Sequence, residues 1–196
     1  MKYELRDGTV VYPFLLQVED VNCYLCANPE SRRAVLIDVG DFSRELEDFI
    51  KSEGLKIEAI LLTHTHYDHT GGLDRAVPAL GAEVYVHEKG LGAVMQYRAT
   101  GASDRSPFSA AGFEIAPLAT EGHTPDSTCY LIGDALFTGD TLFNGSVGGT
   151  SERRLFCQET DNVREKLFHL PDHVVVFPGH GPPTTVGIER VCNPFF

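Results

Sequence analysis

Four metal-competent side chains fall within six positions, His64, His66, Asp68 and His69, directly after the run Ile60-Leu61-Leu62-Thr63. A short continuous apolar run of this kind reads as a buried strand. The pattern recurs downstream. His123 follows the run around Ile115–Leu118, Asp140 follows Phe137-Thr138-Gly139, and His180 follows Val174–Phe177 and Pro178-Gly179. Each of the seven groups therefore lies just past the C-terminal end of an apolar strand. Loops that leave one edge of a rigid sheet can converge there, which is where a scaffold presents its chemistry.

Imidazole and carboxylate donors favour zinc, iron or manganese over magnesium or calcium. A catalytic zinc takes about three protein ligands and leaves one position open. Seven donors divide as three plus three with one shared, and a carboxylate, with two oxygens, suits the shared place. Two ions about 3.5–4 Å apart would hold a hydroxide between them and polarise a carbonyl. We expect two divalent metal ions, zinc first, with iron or manganese open. His87, His169 and His173 have no such context and read as surface or hydrogen-bonded packing histidines.

Composition narrows the partners. The 196 residues suit one domain spanning 1–196, and 42% hydrophobic with 22% charged residues is ordinary for a globular chain. A net charge of −12 argues against nucleic acid, because phosphate binding needs clustered Lys and Arg. It leaves room for a small anionic substrate, since bound dications reverse the local field. No apolar run reaches the roughly 18–20 residues of a membrane span. Met1–Gly8 has no signal-peptide core, so a cytoplasmic location is the default expectation. Five cysteines, an odd count, fit a reducing compartment. Cys23-x-x-Cys26 lies in a strand-like run, where residues three apart face opposite ways. These two read as buried inert thiols, and Cys129, Cys157 and Cys192 as structural.

The local pattern predicts strands at Val10–Leu16, Val21–Ala27, Arg33–Asp38, Glu58–Thr63 and Glu83–His87. Further strands are expected at Phe113–Leu118, Thr128–Ile132, Ala135–Thr138 and Val174–Phe177. Helices are expected after an N-cap at Ser43 until Gly54, within Gly71–Leu80, over Lys89–Thr100, and from about Asp161 to His169. Strands and helices occur in both halves without βαβα alternation, which two packed sheets with helices outside would satisfy.

Thr63-His64-Thr65-His66-Tyr67-Asp68-His69-Thr70-Gly71-Gly72 resembles the T-H-x-H-x-D-H-x-G-G motif of the metallo-β-lactamase superfamily. Gly122-His123-Thr124-Pro125, Phe137-Thr138-Gly139-Asp140-Thr141-Leu142 and Pro178-Gly179-His180-Gly181 match its later motifs in order. The resemblance runs from Leu36-Ile37-Asp38-Val39-Gly40 to the C-terminus. It implies an α+β fold, the αββα four-layer sandwich of two mixed sheets flanked by helices. It assigns His64, His66 and His123 to a first metal, Asp68, His69 and His180 to a second, and Asp140 to a bridge. Asp38 is either an orienting partner of a ligand or a turn-forming residue. His69 after Asp68 differs from the usual sequence of true β-lactamases. The tail from Pro178 through Arg190 to Asn193-Pro194-Phe195 is similar to small glyoxalase II-like hydrolases.

That resemblance implies a metal-dependent hydrolase acting on a thioester such as S-acylglutathione through a metal-bound hydroxide. Asp68 would help orient the nucleophile. Arg153 and Arg154 are candidates for a substrate carboxylate, and Tyr67 for a substrate contact beside a packing role. The chain departs from many relatives at Gly148-Gly149-Thr150-Ser151, where they have Gly-Arg-Thr-Asp, and at Pro125-Asp126-Ser127, where they have Pro-Gly-His. It also ends at Phe196, without the C-terminal helical extension of longer glyoxalase II enzymes. These departures bear on substrate rather than on metal. Competing expectations are lactone or other acyl hydrolysis on the same metals, and a persulfide dioxygenase using one iron at His64, His123 and Asp140. A non-catalytic or electron-transfer module ranks below these, because no flavin-binding segment is present.

Overall fold

The computed structural model describes residues 1–104 and 106–196. Among them the first half forms a seven-stranded sheet in sequential order. Its strands are β1 (Tyr3–Glu4), β2 (Val10–Leu15), β3 (Asn22–Asn28), β4 (Arg33–Ile37), β5 (Lys56–Leu61), β6 (Glu83–His87) and β7 (Ala99–Ala102). β1 to β4 pair antiparallel, and β4 to β7 pair parallel. Parallel neighbours need crossovers, and α1 (Arg44–Ser52) and α3 (Leu73–Leu80) supply two of them, with the short α2 (Tyr67–Thr70) ahead of α3. Ser43 caps α1 as expected, its Oγ accepting from Leu46 N–H at 3.2 Å.

The second half forms β8 (Phe108–Ala110), β9 (Phe113–Ala119), β10 (Thr128–Ile132) and β11 (Ala135–Gly139), then a ribbon of β12 (Leu142–Phe143) and β13 (Ser146–Val147). The helix α4 (Arg153–Asn162), β14 (Val175–Pro178), β15 (Thr184–Thr185) and α5 (Val186–Cys192) complete it. The second sheet runs β15-β14-β11-β10-β9-β8, mixed because β11 and β14 are parallel.

Strand alternation sorts the apolar side chains into three cores. Ile60 and Leu62 face α1 and α3 with Leu46, Ile50 and Leu73. Ala59 and Leu61 point the other way, into the space between the sheets, with Tyr24, Tyr130, Phe137 and Phe177. The far side of the second sheet packs Leu136 and Val176 on Val163, Leu167 and Val186. Helix, sheet, sheet and helix are thus four layers, the αββα sandwich expected. Cys23 lies in the first core and Cys26 in the second, on opposite faces of β3. Cys129 is buried also, whereas Cys157 and Cys192 are exposed, which corrects a structural reading for those two.

Two expected helices are corrected. Lys89–Thr100 is not one helix but a 3₁₀ segment over Glu88–Val94 followed by the edge strand β7. Gly90 and Gly92 weaken a helix there, and a Cβ at Gly90 would lie 2.7 Å from both Asp126 Oδ2 and Val86 Cγ2. The helix expected from Asp161 begins at Arg153 and ends in a π-type turn over Val163–Leu167, where Phe168 N–H donates to Val163 O. Its middle, Gln158-Glu159-Thr160, reads as polar surface, yet Glu159 and Thr160 are buried. The pattern also gave no sign of α5, which Thr185 caps by accepting from Ile188 N–H at 3.3 Å.

Tyr130 ties the sheets together. Fully buried on β10, its hydroxyl donates to Leu62 O at 3.1 Å. Tyr130→Phe is expected to lower unfolding free energy by about 1–2 kcal/mol, since it leaves a buried carbonyl short of a partner. Urea unfolding with an unchanged m-value would show this, and an unchanged midpoint would mean that the hydroxyl adds nothing.

Candidate metal centre

β5 runs straight into the histidine cluster, and both sheets hold that junction. Leu62 N–H donates to Tyr85 O on β6, and Thr63 O accepts from Thr128 N–H at the start of β10 at 2.8 Å. The next turn is clamped by the segment after β4. Val39 N–H donates to His69 O, Gly72 N–H donates to Val39 O, and a Cβ at Gly40 would fall 1.6 Å from Asp68 O. His64 and His69 are consequently buried, while Tyr67, on the outer side of α2, is 75% exposed. The packing role for Tyr67 is corrected by that exposure.

Three further loops bring the remaining groups. His123 follows β9, Asp140 caps β11, and His180 follows β14. The His180 loop is gripped by the first sheet. Asn22 N–H donates to Gly179 O at 2.7 Å, Asn22 Nδ2 donates to Pro178 O and Gly181 O, and Tyr24 Oη donates to Pro178 O. A Cβ at Gly179 would meet Asp140 Oδ1 at 2.3 Å, so only glycine allows this approach.

The structure brings all seven sequence-predicted ligand residues together in overlapping groups. These are His64, His66 and His123; His64, His69 and Asp140; and Asp68, His69 and His180, each with donor atoms within 4.8 Å of one another. Asp140 sits between the outer two. Its Oδ2 is 3.6 Å from His123 Nε2 and 3.7 Å from His180 Nε2, and its Oδ1 is 3.3 Å from His69 Nε2.

The hydrogen-bond network assigns the tautomers. Gly149 O can only accept, so His123 Nδ1 carries a proton, at 2.6 Å. Asp38 Oδ2 accepts from His69 Nδ1 at 2.9 Å. Thr63 Oγ1 gives its proton to Asp38 Oδ2 at 2.7 Å and therefore accepts from His64 Nδ1 at 3.2 Å. All three rings turn an Nε2 lone pair inward. His66 Nδ1 lies 3.0 Å from His64 Nε2 and 3.1 Å from His123 Nε2. Tetrahedral zinc with bonds of about 2.0–2.1 Å separates its nitrogens by about 3.3 Å. Moreover, His69 Nε2 and Asp140 Oδ1 are buried with no hydrogen-bond partner. Converging lone pairs and orphaned acceptors are costly without a cation between them, so the residues present fit a metal centre.

Electrostatics divide the site. Burial, aided by neighbouring imidazoles, holds His64 and His66 below the ordinary histidine value. Burial opposes charge on His69 too, yet the Asp38 and Asp140 carboxylates outweigh it and raise His69 to about 10, so without a cation the ring holds a second proton on Nε2, the one a metal would displace. For Asp140, burial is outweighed by His69, which holds the carboxyl below its ordinary range. The Asp68–Asp140 side thus attracts positive charge, while the histidine side offers neutral donors.

Several partners were not singled out from sequence. Thr63 and the Gly149 carbonyl orient ligands, and Asn22 and Tyr24 hold the His180 loop. A backbone acceptor leaves no mark in sequence, but Asn22 was readable as a polar residue inside an apolar strand. Glu159 is a further case. It is fully buried behind Gly122, neither carboxylate oxygen has a hydrogen-bond partner, and burial, with the Asp140 charge adding, raises it to about 8. Asp38, left open between two roles, contacts both His69 and Thr63. His87 accepts from Lys89 N–H, His173 meets Asp134 at 3.2 Å, and His169 is exposed, so none joins the cluster.

Arg153 and Arg154 are exposed at the start of α4 and have no ion-pair partner among the described residues. Arg154 lines a cavity of about 490 Å³ whose wall includes His123, whereas Arg153 does not line it. No helix among the described residues is long and apolar enough to cross a membrane.

The fold and the histidine-aspartate centre define a metallo-hydrolase scaffold. Residues 16–180 match the metallo-beta-lactamase superfamily, and the chain belongs to it. A probable metallo-hydrolase of Streptococcus pyogenes is 34% identical over 210 residues, covering 95% of this chain and 90% of the relative. A probable polyketide biosynthesis zinc-dependent hydrolase of Bacillus velezensis is 31% identical over 169 residues, covering 81% and 72%. Among solved structures, the BLEG-1 B3 metallo-beta-lactamase superposes with a TM-score of 0.81 at 30% identity, covering 94% of this chain and 98% of that one. ETHE1 from Myxococcus xanthus gives 0.80 at 26%, covering 94% and 83%. TTHA1623 in a di-iron-bound form gives 0.76 at 32%, covering 94% and 100%.

Proposed function

We propose that the chain, folded as one domain, is a dinuclear metallohydrolase that cleaves an acyl bond, with a thioester such as S-acylglutathione as the substrate class. The observation that carries this is Asp140, whose carboxylate faces both outer donor groups at once. His64, His66 and His123 would hold one divalent ion, Asp68, His69 and His180 the other, and Asp140 would bridge. Zinc suits the donor set, as do iron and manganese. Such ions lower the pKa of a coordinated water from 15.7 toward about 7 and polarise a carbonyl.

The chain's own residues do the rest. Asp68 Oδ2, 3.3 Å from His180 Nε2 and 3.4 Å from His69 Nε2, has a carboxylate able to accept a proton and orient the attacking water. A thiolate leaves without a strong general acid. Tyr67, exposed on α2 beside Asp68, is the candidate for a substrate contact. Arg154 is the nearby cation for a substrate carboxylate, with Arg153 beside it on the same turn.

Elemental analysis paired with S-lactoylglutathione hydrolysis tests the reading. The expected result is close to two ions per chain, with turnover lost on chelation and restored by the metal. One iron per chain, no thioester turnover and oxygen uptake with glutathione persulfide would replace it with the dioxygenase. Turnover of a lactone or a β-lactam far above that of thioesters would keep the metals and change the substrate.

A further inference from the structure

The cavity against His123 has a charge arrangement that its role as mere surface does not require. Its walls are the Glu121–Pro125 loop, Ser151 just ahead of α4, and Arg154, Leu155 and Gln158 on α4. Glu121, the acid in that wall, is already committed. Lys89 Nζ lies 2.5 Å from its Oε1, and Gln158 Nε2 donates to its Oε2 at 3.1 Å. Arg154 in contrast has no carboxylate within ion-pairing distance among the described residues. The first turn of α4 also carries no acid, and Glu152 at its N-cap makes no side-chain hydrogen bond to it. In a chain of net charge −12, the cavity next to the metal centre is therefore left with one uncompensated cation.

We propose that this cavity is the leaving-group subsite, and that Arg154 selects thiols bearing a carboxylate. The inference rests on the hydrolase reading above for the position of the scissile bond. His123 forms part of both the cavity wall and the first donor group, so an acyl group over the metal centre places its sulfur at the cavity mouth. A volume of about 490 Å³ is within the range of small-molecule sites and accommodates a short peptide-like thiol. The planar guanidinium pairs with a carboxylate through two parallel N–H donors. Thr124, Pro125 and Gln158 complete the lining, and the Gln158 amide is held by Glu121, which leaves Arg154 as the charged group that faces a ligand.

Two readouts test this. The first compares S-lactoylglutathione with the lactoyl thioester of N-acetylcysteamine, an uncharged thiol. Arg154→Ala is expected to raise KM for the glutathione thioester about 10-fold with kcat unchanged, and to shift the uncharged substrate less than twofold. The second is calorimetric binding of S-hexylglutathione, a thioether that cannot be hydrolysed. Arg154→Ala is expected to weaken it about 10-fold, and Arg154→Lys to recover part of that loss. Equal effects on both thioesters, no effect on either, or a loss caused by Arg153→Ala instead would overturn the subsite. Thioether binding that depends on Arg154, without thioester turnover, would sink the hydrolase reading and leave the subsite standing. Thioester turnover indifferent to Arg154 would do the reverse.

Discussion

Asp140→Asn is expected to lower kcat/KM for the preferred acyl substrate on the order of 10³-fold. On the dinuclear reading proposed above, metal content should fall from about two ions per chain to one or fewer. The change keeps the volume of the side chain and removes its charge. In the wild type, Oδ1 faces His69 while Oδ2 faces both His123 and His180. An amide is neutral and puts an NH₂ donor where one of the two oxygens faced, so it loses the negative charge and one of the two acceptors. Metal-derived charge stabilisation is worth several kcal/mol in a transition state. At about 1.4 kcal/mol per tenfold, losing about 4 kcal/mol gives the stated factor. Elemental analysis and steady-state kinetics on the same preparation check it. Two ions with near-normal turnover in the variant would remove Asp140 from the bridge.

Asp38→Asn is expected to weaken metal affinity by about 10- to 100-fold, the range for losing a partner that orients a metal-binding imidazole. Asp38 accepts from Thr63 N–H at 2.8 Å, from Thr63 Oγ1 at 2.7 Å and from His69 Nδ1 at 2.9 Å. Those bonds determine which nitrogen of His69, and through Thr63 of His64, points a lone pair inward. Asparagine is chosen because Asp38 sits at φ +50°, a left-handed conformation that Asn tolerates as well as Asp. Its NH₂ must confront one of the donors, so a ring flips or a bond is lost. Competition with a chromophoric chelator measures the change. Affinity equal to wild type would show that burial alone orients His69. Asp38→Ala should do more damage, because alanine adds backbone strain at that φ.

What could be read in advance follows how locally each feature is encoded. The strands flanking the centre were legible because their alternation and their β-branched or apolar content are local. Glu83–His87 and Thr128–Ile132 coincide with β6 and β10. The seven donors were legible because their chemistry is carried by residue type and by position after a strand. The start of α4 was not, since Arg153 and Arg154 are exposed and the residues the helix buries further on, Glu159 and Thr160, are polar. Glu159 lies against Gly122 of the His123 loop, a contact between residues far apart in sequence. Lys89–Thr100 misled for a related reason. Its apolar residues satisfy helical spacing, but Gly90 packs against Asp126 and Val86, and β7 finds a parallel partner in β6. The orienting bonds of Thr63 and Gly149 depend on the fold bringing their oxygens to an imidazole.

One feature of the architecture reaches beyond chemistry. His64, His66, Asp68 and His69 belong to the first sheet's half, and His123, Asp140 and His180 to the second. Ions shared by those groups would act as a cross-link over the seam between the two sheets. Whatever free energy they contribute would resist separation of the halves rather than fraying of either one. Opening the seam and releasing the ions would then be a single event. The durability of the scaffold would follow the metal supply around it, and a cell short of the ion would lose the protein along with its activity.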